Sequence, residues 1–359
     1  MAAEPGARTS VPPEKAREQL MAKKLELSII CGSNERVAPL LTGEVEVEGV
    51  ELIHTKSDPS ETFWRQLNFG EFEISEMSMS SYLIAKDQGA DMIMIPVYPT
   101  RRWFHTELMM HADAGIKAPA DIVGKRIGVP EYQQTSSLWV RGVLEHDFGV
   151  SQFRVDWWME RTEELSHGHG TGFQPPDGIK FHRVPPDKSL ATMLVDHELD
   201  VSMGTGRARG EATNLIDRSS MIRPPESAWA RVKPVFPDAR EEAIRFYKAH
   251  GFYPANHGYV IRGDINEKYP WLALNLYKAF LQAKELYRKR LPRSIPSGLI
   301  FGQHYLNETR RIFGDDPFPY GVKANRDYIQ TCIDFSFEQG FIGKKPTIEE
   351  LYAPAVRDF

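Results

Sequence analysis

Short apolar runs alternate along this chain with helix-like segments, and the connections are only a few residues long. Leu25-Glu-Leu-Ser-Ile-Ile-Cys31 reads as a buried strand that ends in the turn-prone Gly32-Ser33-Asn34. Residues 45–54 form a second strand run, with Val45, Val47, Val50 and Leu52 set among acidic residues. Asp58-Pro-Ser-Glu-Thr opens a helix with good capping chemistry, continuing through Phe63, Trp64 and Leu67. Residues 70–77 return as a strand, 78–87 as a helix and 92–97 as a strand. Strands joined through helices pair side by side in the same direction, so a mostly parallel α/β sheet is expected.

A second unit starts at Ile116. A helical turn there precedes a strand over 126–129, and after the loop 131–135 a helix covers 136–147. Further strands are expected at 154–158, 180–184 and 199–203, with a short helix over 190–197. Residues 160–178 are polar and rich in Gly, His and Pro, and read as a loop or lid. Helices then dominate, over 239–250, 270–290 and 326–340, with a strand at 258–262 returning between lobes. A chain of 359 residues exceeds one ordinary core, so two α/β lobes are expected.

The composition, 41% hydrophobic and 26% charged, is that of a folded soluble protein. A net charge of -5 supplies no basic field for nucleic acid or an anionic membrane, so neither is an expected partner. Cys31 and Cys332 are far apart and form no CxxC site. No stretch approaches the ~18 apolar residues of a membrane helix. Residues 1–24 hold no apolar run of roughly 7–15 residues that would serve an export signal. They are expected to be a disordered extension, and the chain to stay in the cytoplasm.

Several motifs resemble those of one family. They are Glu61-Thr-Phe-Trp-Arg-Gln-Leu, Ser75-Glu-Met-Ser-Met-Ser-Ser-Tyr, Ile95-Pro-Val-Tyr-Pro-Thr-Arg and Gly128-Val-Pro-Glu-Tyr-Gln-Gln-Thr. Trp139-Val-Arg-Gly, Phe236-Pro-Asp and Gly251-Phe-Tyr-Pro-Ala-Asn-His add to them. Together they are similar to the 4,5-dihydroxyphthalate decarboxylase family over roughly residues 25 to 345. The resemblance implies a two-lobed, type 2 periplasmic-binding-protein-like architecture with a ligand cleft between the lobes. One lobe would hold 25–108 with 213–359 and its C-terminal helices, the other 109–212. It also implies a carboxy-lyase, an aromatic acid decarboxylase that forms a homo-oligomer. After Leu199-Asp200 a Pro-containing segment is expected, but Val201-Ser-Met-Gly-Thr-Gly-Arg-Ala-Arg stands there, where such a fold faces its cleft. Residues 160–178 likewise read as a local alteration.

Candidate site residues cluster at strand-to-helix junctions, where free N–H groups at a helix start favour anions. In the loop Pro130-Glu131-Tyr132-Gln133-Gln134-Thr135, followed by Ser136, the side chains add donors for a carboxylate or simply cap the helix. Ser78, Ser80 and Ser81, preceded by Glu76, would hydrogen-bond a carboxylate or catechol oxygen, or again cap a helix. No Ser-His-Asp arrangement marks any of these serines as a nucleophile. Pro99-Thr-Arg-Arg-Trp-Phe-His105 offers a guanidinium for a bidentate grip on carboxylate, and the family position favours Arg101 over Arg102. His105 and His257 are the imidazoles expected near the cleft, and Arg141 is either a second anion clamp or a helix-surface charge. His167-Gly-His-Gly lacks the rigid spacing of a metal site, and Gly204-Thr-Gly-Arg-Ala-Arg-Gly lacks the phosphate-loop pattern.

For the substrate that the resemblance implies, a dihydroxylated aromatic dicarboxylate, each carboxylate of 4,5-dihydroxyphthalate lies para to a phenol. Deprotonating that phenol drives charge to the carbon bearing the carboxylate, which takes a proton before carbon dioxide leaves. No pyridoxal, thiamin or metal is strictly required. The expected catalytic groups are His105, His257 and Glu131, with the choice between the histidines open. Ser78, Ser80, Ser81, Arg101, Tyr132, Gln133, Thr135 and Arg141 are expected to bind substrate. A solute-binding protein or ligand sensor for a small aromatic or carboxylate ligand is the alternative, using the same closure without chemistry.

Overall fold

The computed structural model describes residues 24–205 and 216–359. The extension expected over 1–24, apart from Lys24, lies outside them, as does the part beyond Thr205 of the cleft-facing run expected over 201–209.

Two sheets form. In the first, β1 (Leu25–Cys31) pairs in parallel with β2 (Val50–Lys56) along its whole length and with β3 (Ile74–Ser78) on its other side. β4 (Met92–Ile95) completes the sheet, but between β3 and β4 lies the returning strand β11 (His257–Arg262), antiparallel to both. The second sheet runs β10 (Val232–Pro234), β5 (Met109–His111), β9 (Val201–Ser202), β6 (Arg126–Val129), β7 (Asp156–Met159) and β8 (Lys180–Arg183). Its β6, β7, β8 and β9 are mutually parallel, whereas β5 and β10 add antiparallel pairings. The expected lobe boundary at 212/213 falls outside the described residues. β10 belongs to the second sheet, so the chain returns to the first lobe only after Pro234.

Two crossings join the lobes, over 96–108 and 235–256, and they zip together. Arg101 bridges Ala255, Arg102 N donates to Pro254 O (3.0 Å) and Asn256 N donates to Thr100 O (2.8 Å).

The helices follow from capping and burial. α1 (Pro59–Phe69) starts where the Asp58 side chain accepts from Ser60 N, and stops at Gly70 in the left-handed region (φ 55°). α2 (Met79–Asp87) and α3 (Thr135–Phe148) are buried over most of their surface because they stand between the sheets. One apolar cluster accordingly runs from Met77 and Met94 in the first sheet, past Trp139 of α3, to Ile127 and Trp157 in the second. α4 (His167–Thr171) falls in the segment expected to be a lid. α5 (Ala239–His250) lies within the second crossing, and α6 (Leu272–Gly298) covers the far face of the first sheet through Leu276 and Phe280. α7 (Arg326–Glu338) packs on α3.

Three boundaries differ from the sequence reading. Val45 and Val47 are buried by a turn rather than by a strand, so their alternation mimicked pairing that begins only at Val50. α6 runs on past Pro292 and Pro296, where its side chains turn toward solvent. The 160–178 segment buries Glu160, Arg161, Ser166, His167 and Thr171, so it is packed structure rather than a free lid. Among the described residues no helix is long and apolar enough to cross a membrane.

α3 approaches α7 closely because Gly142 carries no side chain: a Cβ there would stand 2.1 Å from the Phe335 ring. Gly142→Ala is therefore expected to overpack this contact and cost about 1–3 kcal/mol, read as a lower denaturation midpoint with an unchanged m-value.

Candidate active site

Because β11 runs against β3 with His257 opposite Ser78, the C-terminal ends of β1, β2 and β3 and the start of β11 share one edge of the first sheet. That edge is where open α/β sheets bind ligands. A cleft of about 960 Å³ opens there, in the size range of small-molecule sites. Its walls are Gly32, Ser33 and Asn34 after β1, then Lys56, Ser57, Asp58, Pro59, Glu61 and Trp64 through β2 and α1. Glu76, Thr100, Leu165 and Ile216 complete them.

Glu76 joins the cleft to a buried histidine. His257 Nδ1 donates to Glu76 Oε1 (2.7 Å), and Gly32 N donates to Glu76 Oε2 (2.9 Å). A carboxylate against Nδ1 fixes the ring's orientation and leaves Nε2 as the nitrogen able to exchange a proton. Phe63 of α1 sets its edge against His257 (4.7 Å between centroids) and against His167 (5.6 Å).

Arg161 is the centre of a second group. It follows β7, is buried, and grips Asp217 with Nε on Oδ1 (2.5 Å) and Nη2 on Oδ2 (3.1 Å). The same guanidinium donates to Ser60 Oγ (2.8 Å) at the start of α1 and to His167 Nε2 (3.1 Å), and lies 4.0 Å from Glu131 Oε2. Glu131 also accepts from Ser166 Oγ (3.0 Å) and His167 N (3.1 Å). Trp64 Nε1 donates to Glu164 O (2.8 Å), so the 160–178 segment is tied to both the start and the middle of α1. Burial pushes the Glu131 carboxyl up, with Arg161 opposing. Burial and then Arg161 hold His167 well below its ordinary value, which keeps the ring neutral. The Asp58 carboxyl is raised by burial, against the Ser60 N–H it accepts, and further by Asp217.

The hydroxyls expected to bind substrate do meet, where the starts of α2 and α3 converge. Ser78 Oγ lies 2.9 Å from Thr135 Oγ1, Ser80 N donates to that oxygen (3.0 Å), and Ser80 Oγ donates to Gln133 O (2.5 Å). Gln133 Oε1 accepts from Thr171 Oγ1 (3.2 Å). Among the described residues, the buried Gln133 Nε2 and Ser81 Oγ have no hydrogen-bond partner.

Four expected residues are placed elsewhere. Arg101 is buried in the crossings, where it donates to Pro319 O (2.8 Å), Tyr253 O and Asn325 Oδ1 and faces the rings of Tyr98 and Tyr328. Its partners are carbonyls because its stem points into the C-terminal packing instead of the cleft. His105 Nε2 donates to Glu242 Oε1 (2.8 Å) of α5, with Phe236 and Phe246 around the ring. Arg141 stacks on the Tyr132 ring (3.9 Å) and donates to Tyr132 O (2.7 Å) and Gln339 Oε1 (2.8 Å), while burial brings its pKa down to about 10. Tyr132 in turn donates to Gln152 Oε1 (2.9 Å). These contacts hold α3 against its surroundings and account for both residues without a ligand. Sequence reasoning did not single out Asp58, Ser60, Arg161 or Asp217 for the site. Asp58 alone carried a signal, since an acid directly after a strand of such a sheet stands at the crevice.

No protein-family model matches the chain. A 4,5-dihydroxyphthalate decarboxylase of Comamonas testosteroni is 31% identical over 335 residues, which span 92% of this chain and 97% of the relative. A protein of the same name from Pseudomonas putida is 38% identical over 190 residues, 53% of this chain and 74% of the relative. Among solved structures, the periplasmic aliphatic sulphonate binding protein SsuA of Escherichia coli aligns with a TM-score of 0.52 at 14% identity, covering 94% of this chain and 100% of that one. The desulfurization enzyme DSZB aligns with a TM-score of 0.50 at 13% identity, covering 92% and 97%. The fold is thus that of the periplasmic-binding-protein-like proteins, two sheets with a cleft. By its relatives, the chain belongs to the 4,5-dihydroxyphthalate decarboxylase family, and it is an enzyme, a carboxy-lyase.

Two outcomes follow from the displaced residues. His105→Ala is expected to lower stability by about 1–3 kcal/mol through the lost buried bond to Glu242, measured by denaturant titration, and to leave turnover within a few-fold of the parent. Glu242 is further linked through Arg245 to Asp147 of α3, which also accepts from His250. Burial alone would raise the Asp147 pKa, but the bonds from His250 and Arg245 outweigh it and bring it from 3.8 to about 2. The folded value lies below the unfolded one, so this stabilisation is complete above about pH 4 and is lost as pH falls toward 2. Asp147→Asn should flatten that part of the acid-unfolding curve.

Proposed function

We propose that this enzyme converts 4,5-dihydroxyphthalate to protocatechuate, delivering a proton to the ring carbon from which carbon dioxide departs. The observation that carries the reading is the similarity to the Comamonas testosteroni 4,5-dihydroxyphthalate decarboxylase through 97% of that relative's length. The geometry supports it. His257, oriented by Glu76, takes the phenol proton through Nε2 and returns it after the ring has reacted. Charge from the phenolate reaches the para carbon, which accepts a proton. The carbon–carboxylate bond then breaks, and its electrons restore the aromatic ring. The retained carboxylate is held by the donors at the paired helix starts, with Gln133 Nε2 and Ser81 Oγ available to it. Arg161 and Trp64 keep the 160–178 segment down on α1 and water out while the proton moves.

The test is to incubate metal-stripped protein with 4,5-dihydroxyphthalate and follow protocatechuate and carbon dioxide, which should appear in equal amounts. Saturable binding with no product would instead favour a solute-binding role. In the active protein, His257→Gln is expected to reduce kcat by roughly 10²–10⁴-fold with little change in thermal midpoint.

A further inference from the structure

We propose that Asp58, besides capping α1, is the acid that protonates the ring carbon; this rests on the reaction proposed above. Three described carboxylates line the cleft, and two have other duties. The Glu61 side chain is 51% exposed and pairs with Arg65, while Glu76 holds His257 with one oxygen and accepts from Gly32 N with the other. Asp58 is half-buried where β2 gives way to α1; its Oδ1 accepts the cap bond from Ser60 N (2.9 Å) and the Ser60 hydroxyl also bonds the carboxyl, so its hydrogen-bond partners among the described residues are neutral groups.

Its surroundings favour keeping that proton. The nearby Arg161 guanidinium is already shared between Asp217 and Glu131. Ionising Asp58 beside that cation would set its charge against that of Asp217. His167, neutral, offers no second charge, and Lys56 on the same wall is exposed to solvent. Burial and Asp217 both raise the Asp58 pKa, in agreement with the geometry.

In the step itself, His257 removes the phenol proton and the ring supplies an electron pair at the para carbon. A C–H bond forms there as the Asp58 O–H bond breaks. The bond to the carboxylate then breaks, its electron pair returns to the ring, and carbon dioxide leaves. His257 gives the phenol its proton back, and water reprotonates Asp58.

Asp58→Asn tests this, because asparagine caps a helix as well as aspartate and has nearly its volume. The expected result is a loss of roughly 10²–10⁴-fold in kcat with the thermal midpoint retained. Deuterium wash-in from D2O at the protocatechuate ring carbon para to its 3-hydroxyl, in which the parent's deuterated Asp58 delivers a deuteron to that carbon and then takes up the proton it carried, should fall in parallel. The alkaline limb that Asp58 imposes on the parent's pH profile should also vanish. Asp58→Ser, another good cap, should show the same loss and guards against a folding artefact in either variant. An active parent whose Asp58→Asn variant keeps turnover and wash-in within about threefold overturns the inference and leaves the reaction standing. A parent inert toward 4,5-dihydroxyphthalate overturns both.

Discussion

The architecture depends on two chain crossings held in register by one buried guanidinium. Arg101 sits where 96–108 and 235–256 pair, and it reaches carbonyls on the second crossing and on the C-terminal run at Pro319, together with Asn325. Both Nη atoms are engaged while Nε has no partner among the described residues, so losing any of these acceptors would leave the buried cation still less compensated. Burial lowers the Arg101 pKa, but an arginine so held remains charged. The crossings thus form a fixed pivot, and the cleft edge of the first sheet, from Gly32 to His257, is positioned relative to it.

Around the cleft, charge is arranged for moving protons more than for simple attraction. Its described wall carries Lys56 against Asp58, Glu61 and Glu76, and Arg161 stands behind it already bound by carboxylates. Such a wall gives little unspecific pull on an anion. It suits a ligand held through neutral donors, such as hydroxyls, the Gln133 amide and helix-start N–H groups, while the ionisable side chains attend to the ring.

The backbone was largely legible, and the site only in part. β1 and β6 lie where their apolar runs placed them, and α5 starts and stops where Asp238 caps it and Gly251 ends it, because those signals are local. His105 and Arg101 have the right chemistry for a site, yet their partners lie 137 and 224 residues away, a pairing that no local pattern encodes. The 160–178 segment looked like a surface loop because it is polar. Its polarity is internal: Arg161, Ser166 and His167 are buried and bond to one another, to Glu131 or to Ser60. Glu131 and His257 were drawn from the sequence together, but the side chains that connect them to the cleft, Glu76 and Arg161, become apparent only once the two sheets face each other.

The N-terminal stretch of α1 gathers several functions into seven residues. From Asp58 to Trp64 it supplies a capping carboxylate, a hydroxyl for Arg161, the Phe63 ring wedged against two imidazoles and an indole tethered across the lobes. Selection for a new substrate therefore has little freedom there, since each of these positions already serves the cap, the tether or the imidazoles. Divergence within such enzymes is channelled to wall positions outside that stretch, such as Lys56, Thr100 and Leu165, where a side chain can be traded while the machinery is inherited whole.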